Sequence, residues 1–347
     1  MRASYAPYRL IFKFLARTSR ETMTSKDTYF IRVVDDSGKT GIGECALFRG
    51  LSIDDVDCYE SKLADVCRRL SSDEPVGDLS PYPSIRFGLE TALAALKGNG
   101  PFDPFPGQWR AGKSSIIING LVWMGSAAEM KSRVREKIEA GFHCIKLKIG
   151  GVKFEDELEI IRTLRSYFSA NDLEIRLDAN GAFSINNALR RLNELSQYKI
   201  HSIEQPIRAG QWTALAEICR HSPIPVALDE ELIPLTDTDS RRKLLGLVKP
   251  AYIILKPALA GGLSGADEWI SLAEEYGIGW WATSALESNV GLNSIAGWVA
   301  THNISMPQGL GTGGLYYNNI ASPLYLDGQE LRYDPSGKWD FSQLQFR

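Results

Sequence analysis

Three runs decide the reading of this chain: Cys-Ile-Lys-Leu-Lys-Ile-Gly at 144–150, Ile-Arg-Leu-Asp-Ala-Asn at 175–180 and Ser-Ile-Glu-Gln-Pro at 202–206. Two more follow in the same pattern, Val-Ala-Leu-Asp-Glu at 226–230 and Ile-Ile-Leu-Lys-Pro at 253–257. In each, a β-rich apolar run ends in a charged residue. Asp178, Glu204 and Asp229 are 26 and 25 residues apart, about the length of a strand, a helix and two loops in a βα unit. The three acids therefore fall at the C-terminal ends of successive strands, with Lys148 ending the strand before them and Lys256 the strand after. Any one such charge would ordinarily be solvated surface. Together they point elsewhere, because the C-terminal strand ends of a closed parallel barrel converge on one mouth, where active sites lie. Three carboxylates there repel one another without a cation. Oxygen ligands without Cys or His at matching positions favour Mg²⁺ over Zn²⁺, with Mn²⁺ as a substitute.

Outward from this centre, strands and helices alternate from Ser114 onward, the pattern of a parallel α/β domain. Strand one is read at Ile116–Ile118 and strand two at the Lys146–Lys148 run. Strands three to seven are read at Leu173–Leu177, His201–Ile203, Pro225–Leu228, Tyr252–Leu255 and Ile278–Trp281, with a short strand eight at Gly309–Gly311. Eight signals in this length fit one barrel better than an open doubly wound sheet. The open sheet would need a Gly-rich phosphate loop after its first strand, and Asn119-Gly120-Leu121 is not one.

Upstream, residues 5–47 read as an antiparallel meander with a turn at Asp36-Ser37-Gly38, and 53–70 and 84–97 read as helices. Arg17–Lys26 is too long and polar for a tight hairpin and reads as a lid over the barrel mouth. The Gly- and Pro-rich stretch Gly98–Gly112 marks a domain boundary. The expected organisation is an α+β capping domain over 1–110, a barrel over 111–322, and a segment over 323–347 that returns to the cap.

With 347 residues, 44% hydrophobic and 23% charged, the composition is that of a soluble globular protein, and a net charge of −3 gives no reason to expect nucleic acid or an anionic membrane. Five cysteines without a C-x-x-C pair do not make a disulfide framework, so a reducing cytoplasm is the expected location. No signal-peptide core and no apolar run long enough to insert into a membrane stand in the sequence. The oligomeric state stays open, a homo-oligomer included.

Strand geometry assigns chemistry. Side chains alternate faces along a strand, so Lys146 and Lys148 point the same way. Strands two and six are four apart in a ring of eight, which sets Lys148 and Lys256 across the mouth from each other with the acids between. A small-molecule carboxylate held on the metal would have its α-carbon between the two amines. The metal stabilises the enediolate, and a neighbouring cation such as Lys146 favours the neutral, basic form of Lys148. The reaction class is proton abstraction α to a carboxylate, ending in epimerisation or in β-elimination of water.

As an ordered set, K-x-K at Lys146 and Lys148, D-A-N at Asp178–Asn180, E-Q-P at Glu204–Pro206, D-E at Asp229–Glu230 and L-K-P at Leu255–Pro257 resemble the enolase superfamily in its muconate lactonizing enzyme subgroup. The resemblance spans nearly the whole chain. It implies a modified (β/α)₇β TIM barrel with an N-terminal α+β cap, Asp178, Glu204 and Asp229 as Mg²⁺ ligands, Lys148 and Lys256 as catalytic lysines, and Lys146 as the residue tuning Lys148. Three further stretches, Ile118–Gly125, Thr283–Ser288 and Gln308–Leu315, resemble the branch of the subgroup that removes water from a hydroxycyclohexadiene carboxylate. This implies a lyase in which Lys148 takes the proton and returns it to the departing hydroxyl, while Lys256 stays protonated. The dipeptide-epimerising branch would carry Asp-x-Asp on strand eight, and Gly309–Gly314 holds no acid. Racemisation of N-succinylamino acids uses the same two lysines and stays open. A barrel retained only as a scaffold would be expected to have lost a ligand or a lysine; none is missing.

Asn180 is expected beside the substrate carboxylate or the metal, and Glu230 beside Lys256 or a ligand. For the substrate's second carboxylate, the candidates are the helix-opening N–H groups at Gly262 and Ser264, the Ser284 hydroxyl, and Arg17 or Arg20 of the lid. The four histidines and Trp280-Trp281 read as structural, and Trp123 as a pocket residue.

Overall fold

The structure is a computed structural model that describes residues 1–17 and 22–347. Its N-terminal unit is an antiparallel sheet of β1 (Arg2–Arg17), β2 (Thr22–Val34) and β3 (Thr40–Cys45), in that order, backed by α1 (Tyr59–Ser71) and α2 (Pro83–Lys97). The chain then adds β4 (Ile116–Ile117), β5 (Gly120–Val122), α3 (Ala127–Glu139), β6 (Cys144–Lys148), α4 (Phe154–Tyr167), β7 (Glu174–Asp178) and α5 (Ile185–Ser196). It continues through β8 (Ser202–Glu204), α6 (Trp212–His221), β9 (Val226–Leu228), α7 (Thr238–Val248), β10 (Tyr252–Leu255), α8 (Gly262–Glu275), β11 (Gly279–Ala282) and α9 (Asn289–Val299). The hairpin of β12 (Leu324–Asp327) and β13 (Glu330–Tyr333) follows.

Strands β5 to β11 form one parallel sheet in the order β11-β10-β9-β8-β7-β6-β5. Its two edges meet through residues 308–309. Gln308 bridges Ile118, Gly309 bridges Thr283, and the Gly309 amide donates to the Ala282 carbonyl at 2.8 Å. The curled sheet with helices outside is the modified TIM barrel expected of the sequence.

Alternation explains how these strands serve both core and site. Ile145, Leu147, Ile175, Leu177 and Ile203 are buried against the surrounding helices. The other face carries Lys146, Lys148, Arg176, Asp178 and Glu204 into the barrel. Arg176 is 1% exposed and spends its charge on Glu174 (2.6 Å), the Pro307 carbonyl (2.8 Å) and the face of Trp281 (4.3 Å to the ring centre).

Four expectations need correction. Ile116–Ile117 does not open the barrel; it pairs antiparallel with β13, and Gly120–Val122 is the barrel strand beside β6. Strand eight is reduced to the two bridges at 308–309. The helix read from residue 53 begins at Tyr59. The lid is largely strand, because Thr22–Lys26 belongs to β2 and pairs back onto β1, with Leu10 opposite Lys26 and Arg17 opposite Thr22. Arg20, the lid's candidate substrate contact, lies outside the described residues, as does the rest of 18–21.

The N-terminal unit sits on the barrel mouth. Phe48, Leu51 and Ile53 pack on Ile233, Leu259 and Ala285. Leu10, Phe12 and Ala16 of β1 join Trp123, Leu286 and Tyr316. The C-terminal Arg347 exchanges two backbone hydrogen bonds with Tyr5. None of the five cysteines is paired, and among the described residues no helix is long and apolar enough to cross a membrane.

Candidate active site

Strand register builds the site. Lys148 on β6 stands opposite Asp178 on β7, and Asp178 opposite Glu204 on β8. Neighbouring strands lie about 4.8 Å apart, so one row across three strands already brings a lysine and two carboxylates together. Asp229 follows the end of β9 and Lys256 the end of β10. Asp178, Glu204 and Asp229 are at most 2% exposed.

The lysines answer the carboxylates. Lys148 Nζ donates to Asp178 Oδ2 at 2.9 Å and to Asn180 Oδ1 at 2.7 Å. Lys146 Nζ lies 3.0 Å from Asp178 Oδ2 and also pairs with Glu204, and Lys256 pairs with Asp229. Asn180 Nδ2 donates to Glu230 Oε1 at 3.1 Å, so Asn180 links Lys148 to the residue after Asp229. Asn180 and Gln205 both hold left-handed backbone, at φ 42° and 41°. Such conformations in non-glycine residues cluster at functional sites. Gln205 is held there by donating to the Ile207 carbonyl at 2.9 Å and accepting from the Asp229 amide at 3.3 Å.

These contacts set the charges. Burial alone would lower Lys146, but Asp178, Glu204 and Asp229 together carry its ammonium above the ordinary lysine value. Lys256 is likewise raised, with Asp229 and Glu230 outweighing burial. Burial would raise Asp178, yet Lys146 and Lys148 hold it well below the usual carboxylate range. Glu204 goes the other way, pushed up by burial and by the charge of Asp178.

The donor set fits a hard divalent cation: three carboxylates, all buried, with no sulfur or imidazole among them. Glu204 Oε1 is buried without a hydrogen-bond partner, an acceptor that a cation satisfies. With the side chains as they stand, Lys146 and Lys148 share Asp178 Oδ2, the Asn180 amide donates to Asp178 Oδ1 at 3.1 Å, Lys146 also holds Glu204 Oε2, and Lys256 holds Asp229 Oδ2. Among the described residues no group of three or more His, Cys, Asp or Glu is arranged to hold a metal ion.

Above this floor is a cavity of about 230 Å³ lined by Lys146, Lys148, Asp178, Asn180, Glu230 and Lys256. Its walls come from Asn119, Leu121, Trp123, Thr283–Leu286, Gly309, Gly311 and Thr312; Phe48–Leu51 of the N-terminal unit form the roof. The roof residues, Asn119 and Thr312 escaped sequence reasoning because loops carry no periodicity.

The expected tail-carboxylate donors fare differently. Ser284 does line the cavity, but its hydroxyl donates to Glu287 at 2.5 Å and accepts from the Leu286 amide at 2.9 Å. Gly262 and Ser264 are not cavity walls. The N–H groups of Leu263 and Ser264 donate to Glu90 of α2 at 2.7 and 3.2 Å, and Arg86 donates to the Ser264 hydroxyl at 2.7 Å. A carboxylate does hold this helix terminus, as its dipole favours, but it belongs to the protein.

Comparisons with known proteins agree with the geometry. A family model described as enolase C-terminal domain-like matches residues 129–317. The o-succinylbenzoate synthase of Desulfotalea psychrophila is 45% identical over an alignment 361 positions long that covers 94% of this chain and 98% of that protein. The crystal structure of MenC from the same organism superimposes with a TM-score of 0.86 at 42% identity, covering 96% and 99% of the two chains. A substrate-liganded L-Ala-D/L-Glu epimerase from Bacillus subtilis shares the fold with a TM-score of 0.79 at 18% identity, covering 98% and 97%.

Proposed function

The chain belongs to the enolase superfamily, and from that premise we propose that it acts as an o-succinylbenzoate synthase. It removes water from 2-succinyl-6-hydroxy-2,4-cyclohexadiene-1-carboxylate to give 2-succinylbenzoate, a menaquinone precursor. The observation that carries this is near-full-length likeness to the Desulfotalea synthase, supported by two lysines lining one cavity above three buried carboxylates.

Lys148 is the base. Its amine removes the proton on the carbon bearing the carboxylate, and the C–H electron pair moves into that carboxylate as an enediolate. As the pair returns to form the ring double bond, the C–O bond to the hydroxyl breaks. The hydroxyl leaves as water with the proton from Lys148, and the ring becomes aromatic. Lys256 stays protonated, as its contact with Asp229 favours, and faces the developing charge. Asn180 and Asp178 aim the Lys148 amine. When bound, a divalent cation (Mg²⁺, with Mn²⁺ as a substitute) held by Asp178, Glu204 and Asp229 supplies Lewis-acid stabilisation of the substrate carboxylate. The site works in the cytoplasm, where the unpaired cysteines stay reduced.

The same lysines would serve N-succinylamino acid racemisation. Dipeptide epimerisation is disfavoured, since Gly309, Gly311 and Thr312 offer no acid for a substrate ammonium on that wall. The test is the purified protein with Mg²⁺ assayed in parallel on the cyclohexadiene, on N-succinylamino acids and on dipeptides. Fastest turnover of the cyclohexadiene is expected. Epimerisation of a dipeptide or N-succinylamino acid without dehydration would overturn the reading.

A further inference from the structure

We propose that Asn119, Thr312 and Arg49 form the subsite that receives the substrate's remote carboxylate, at the end of its four-carbon oxo-acid tail. This rests on the reading above and adds the specificity determinant that it lacks.

The ring carboxylate is consigned to the lysine and carboxylate floor. The tail ends in a second anion, which burial makes costly unless donors meet it. Most polar groups on the cavity wall are already engaged. Ser284 donates to Glu287 and Thr283 donates to the Gly309 carbonyl at 3.1 Å, while the N-terminus of α8 lies off the wall and is held by Glu90.

Two side chains differ. Asn119 and Thr312 are 3% and 4% exposed, both line the cavity, and Asn119 Oδ1 and Thr312 Oγ1 are enclosed with no hydrogen-bond partner. Buried polar atoms are nearly always paired, so two orphans on one cavity wall mark a place built for a ligand. They are close in the fold because the seam of the barrel joins them: the Asn119 amide donates to the Gln308 carbonyl at 2.9 Å, and Thr312 follows four residues on. An anion needs donors, and both groups turn to supply them: a half-turn of the Asn119 carboxamide sets its NH₂ where Oδ1 stands, and the threonine hydroxyl rotates to donate.

Arg49 supplies the charge from the roof. Its Nη1 lies 2.5 Å from Asp55, and its side chain is half exposed where it lines the cavity. A guanidinium offers five N–H groups, so Asp55 orients the fork while leaving donors for the ligand. Asp55 also accepts from the Gly50 amide at 2.8 Å, which fixes the roof loop. A tail carboxylate bridging Arg49 to the Asn119 and Thr312 wall would tie cap to barrel over the reacting ring.

The test compares two product-like ligands in the presence of Mg²⁺: 2-succinylbenzoate, and 2-butanoylbenzoate, which keeps ring and ketone but lacks the terminal carboxylate. Binding is measured calorimetrically to the wild type and to Thr312→Val, Asn119→Leu and Arg49→Met. A hydrogen bond to a charged group is worth roughly tenfold or more in affinity. The wild type should prefer the diacid by at least that factor. Each variant should weaken diacid binding roughly tenfold and leave the monoacid within about twofold. Thr312→Val is the safeguard against misfolding, since its hydroxyl bonds to no protein group. A preference for the diacid that survives in all three variants would overturn the subsite, as would equal weakening of both ligands by Thr312→Val. A wild type that dehydrates the cyclohexadiene while its variants keep the preference loses only the subsite. A wild type that neither dehydrates it nor binds 2-succinylbenzoate loses the functional reading itself.

Discussion

Glu44 is a carboxylate of the N-terminal unit that caps a barrel helix. It is fully buried on β3 and accepts four hydrogen bonds. Oε1 receives the Thr28 hydroxyl at 2.9 Å and the Ser288 amide at 3.0 Å. Oε2 receives the Ser288 hydroxyl at 2.5 Å and the Gly291 amide at 2.9 Å. Consider Glu44→Gln, which keeps shape and removes charge. The hydroxyls of Thr28 and Ser288 can rotate to accept, but each carboxylate oxygen also faces one backbone N–H that cannot. Whichever way the amide turns, its NH₂ is set against the N–H of Ser288 or of Gly291. That orphaned backbone donor costs about 1–3 kcal/mol, and loss of the anion at the N-terminus of α9 costs up to about 2 kcal/mol more. Relief of burying a charge offsets part of this. The expected net loss is about 2–4 kcal/mol in equilibrium urea denaturation. The loop before α9 contains Ser284 and Leu286 of the cavity wall, so KM should rise as well. A loss below about 1 kcal/mol with unchanged KM would refute this account of how cap and barrel are joined.

Three further outcomes follow from named contacts. Asp178→Asn, Glu204→Gln or Asp229→Asn should each abolish turnover, and excess EDTA should do the same to the wild type; full activity in any of these cases removes the metal assignment. Burial pushes the Glu287 carboxyl above its ordinary value, so the stability it gives is complete below the usual glutamate value and drains as pH rises through the shifted one. Glu287→Gln should therefore flatten the decline in unfolding free energy from mildly acid to neutral pH, and a variant that tracks the wild-type profile would sink that reasoning. Glu90→Gln should lower stability by about 1 kcal/mol, since its charge meets two helix-terminal amides at a partly exposed site, while leaving KM alone; a raised KM would return the start of α8 to the substrate site.

The parts of the fold that were legible are those in which local sequence and tertiary role coincide. Parallel strands buried on both faces read as apolar runs, and a charge at the C-terminal end of each announces the mouth, so the expected β6 to β10 lie within a residue or two of the observed strands. Ile116–Ile118 misled because its β-branched residues do form a strand, but with Glu330 and Leu331 from the far end of the chain. The true first barrel strand contains Gly120, which carries no strand signal. The polar stretch Met23–Lys26 read as loop because β1 and β2 run on together beyond the apolar part of the hairpin. At the site, the register row of Lys148, Asp178 and Glu204 was recoverable from spacing alone. The engagement of the α8 terminus by Glu90 was not, since it depends on how α2 docks. Asn119 and Thr312 stand out only once their lack of partners is visible.

The central claim is that one lysine does the proton chemistry while the other holds charge. It is tested by deuterium incorporation from D₂O into each enantiomer of an N-succinylamino acid analogue, followed by NMR with Lys148→Ala and Lys256→Arg. Lys148→Ala should lose exchange for the enantiomer presented to Lys148, together with general acid-base catalysis of dehydration worth about 10²–10⁴-fold. Lys256→Arg keeps a cation of different shape; it should impair dehydration yet retain that exchange. Exchange kept by Lys148→Ala and lost by Lys256→Arg for the same enantiomer would contradict the account and reverse the two roles.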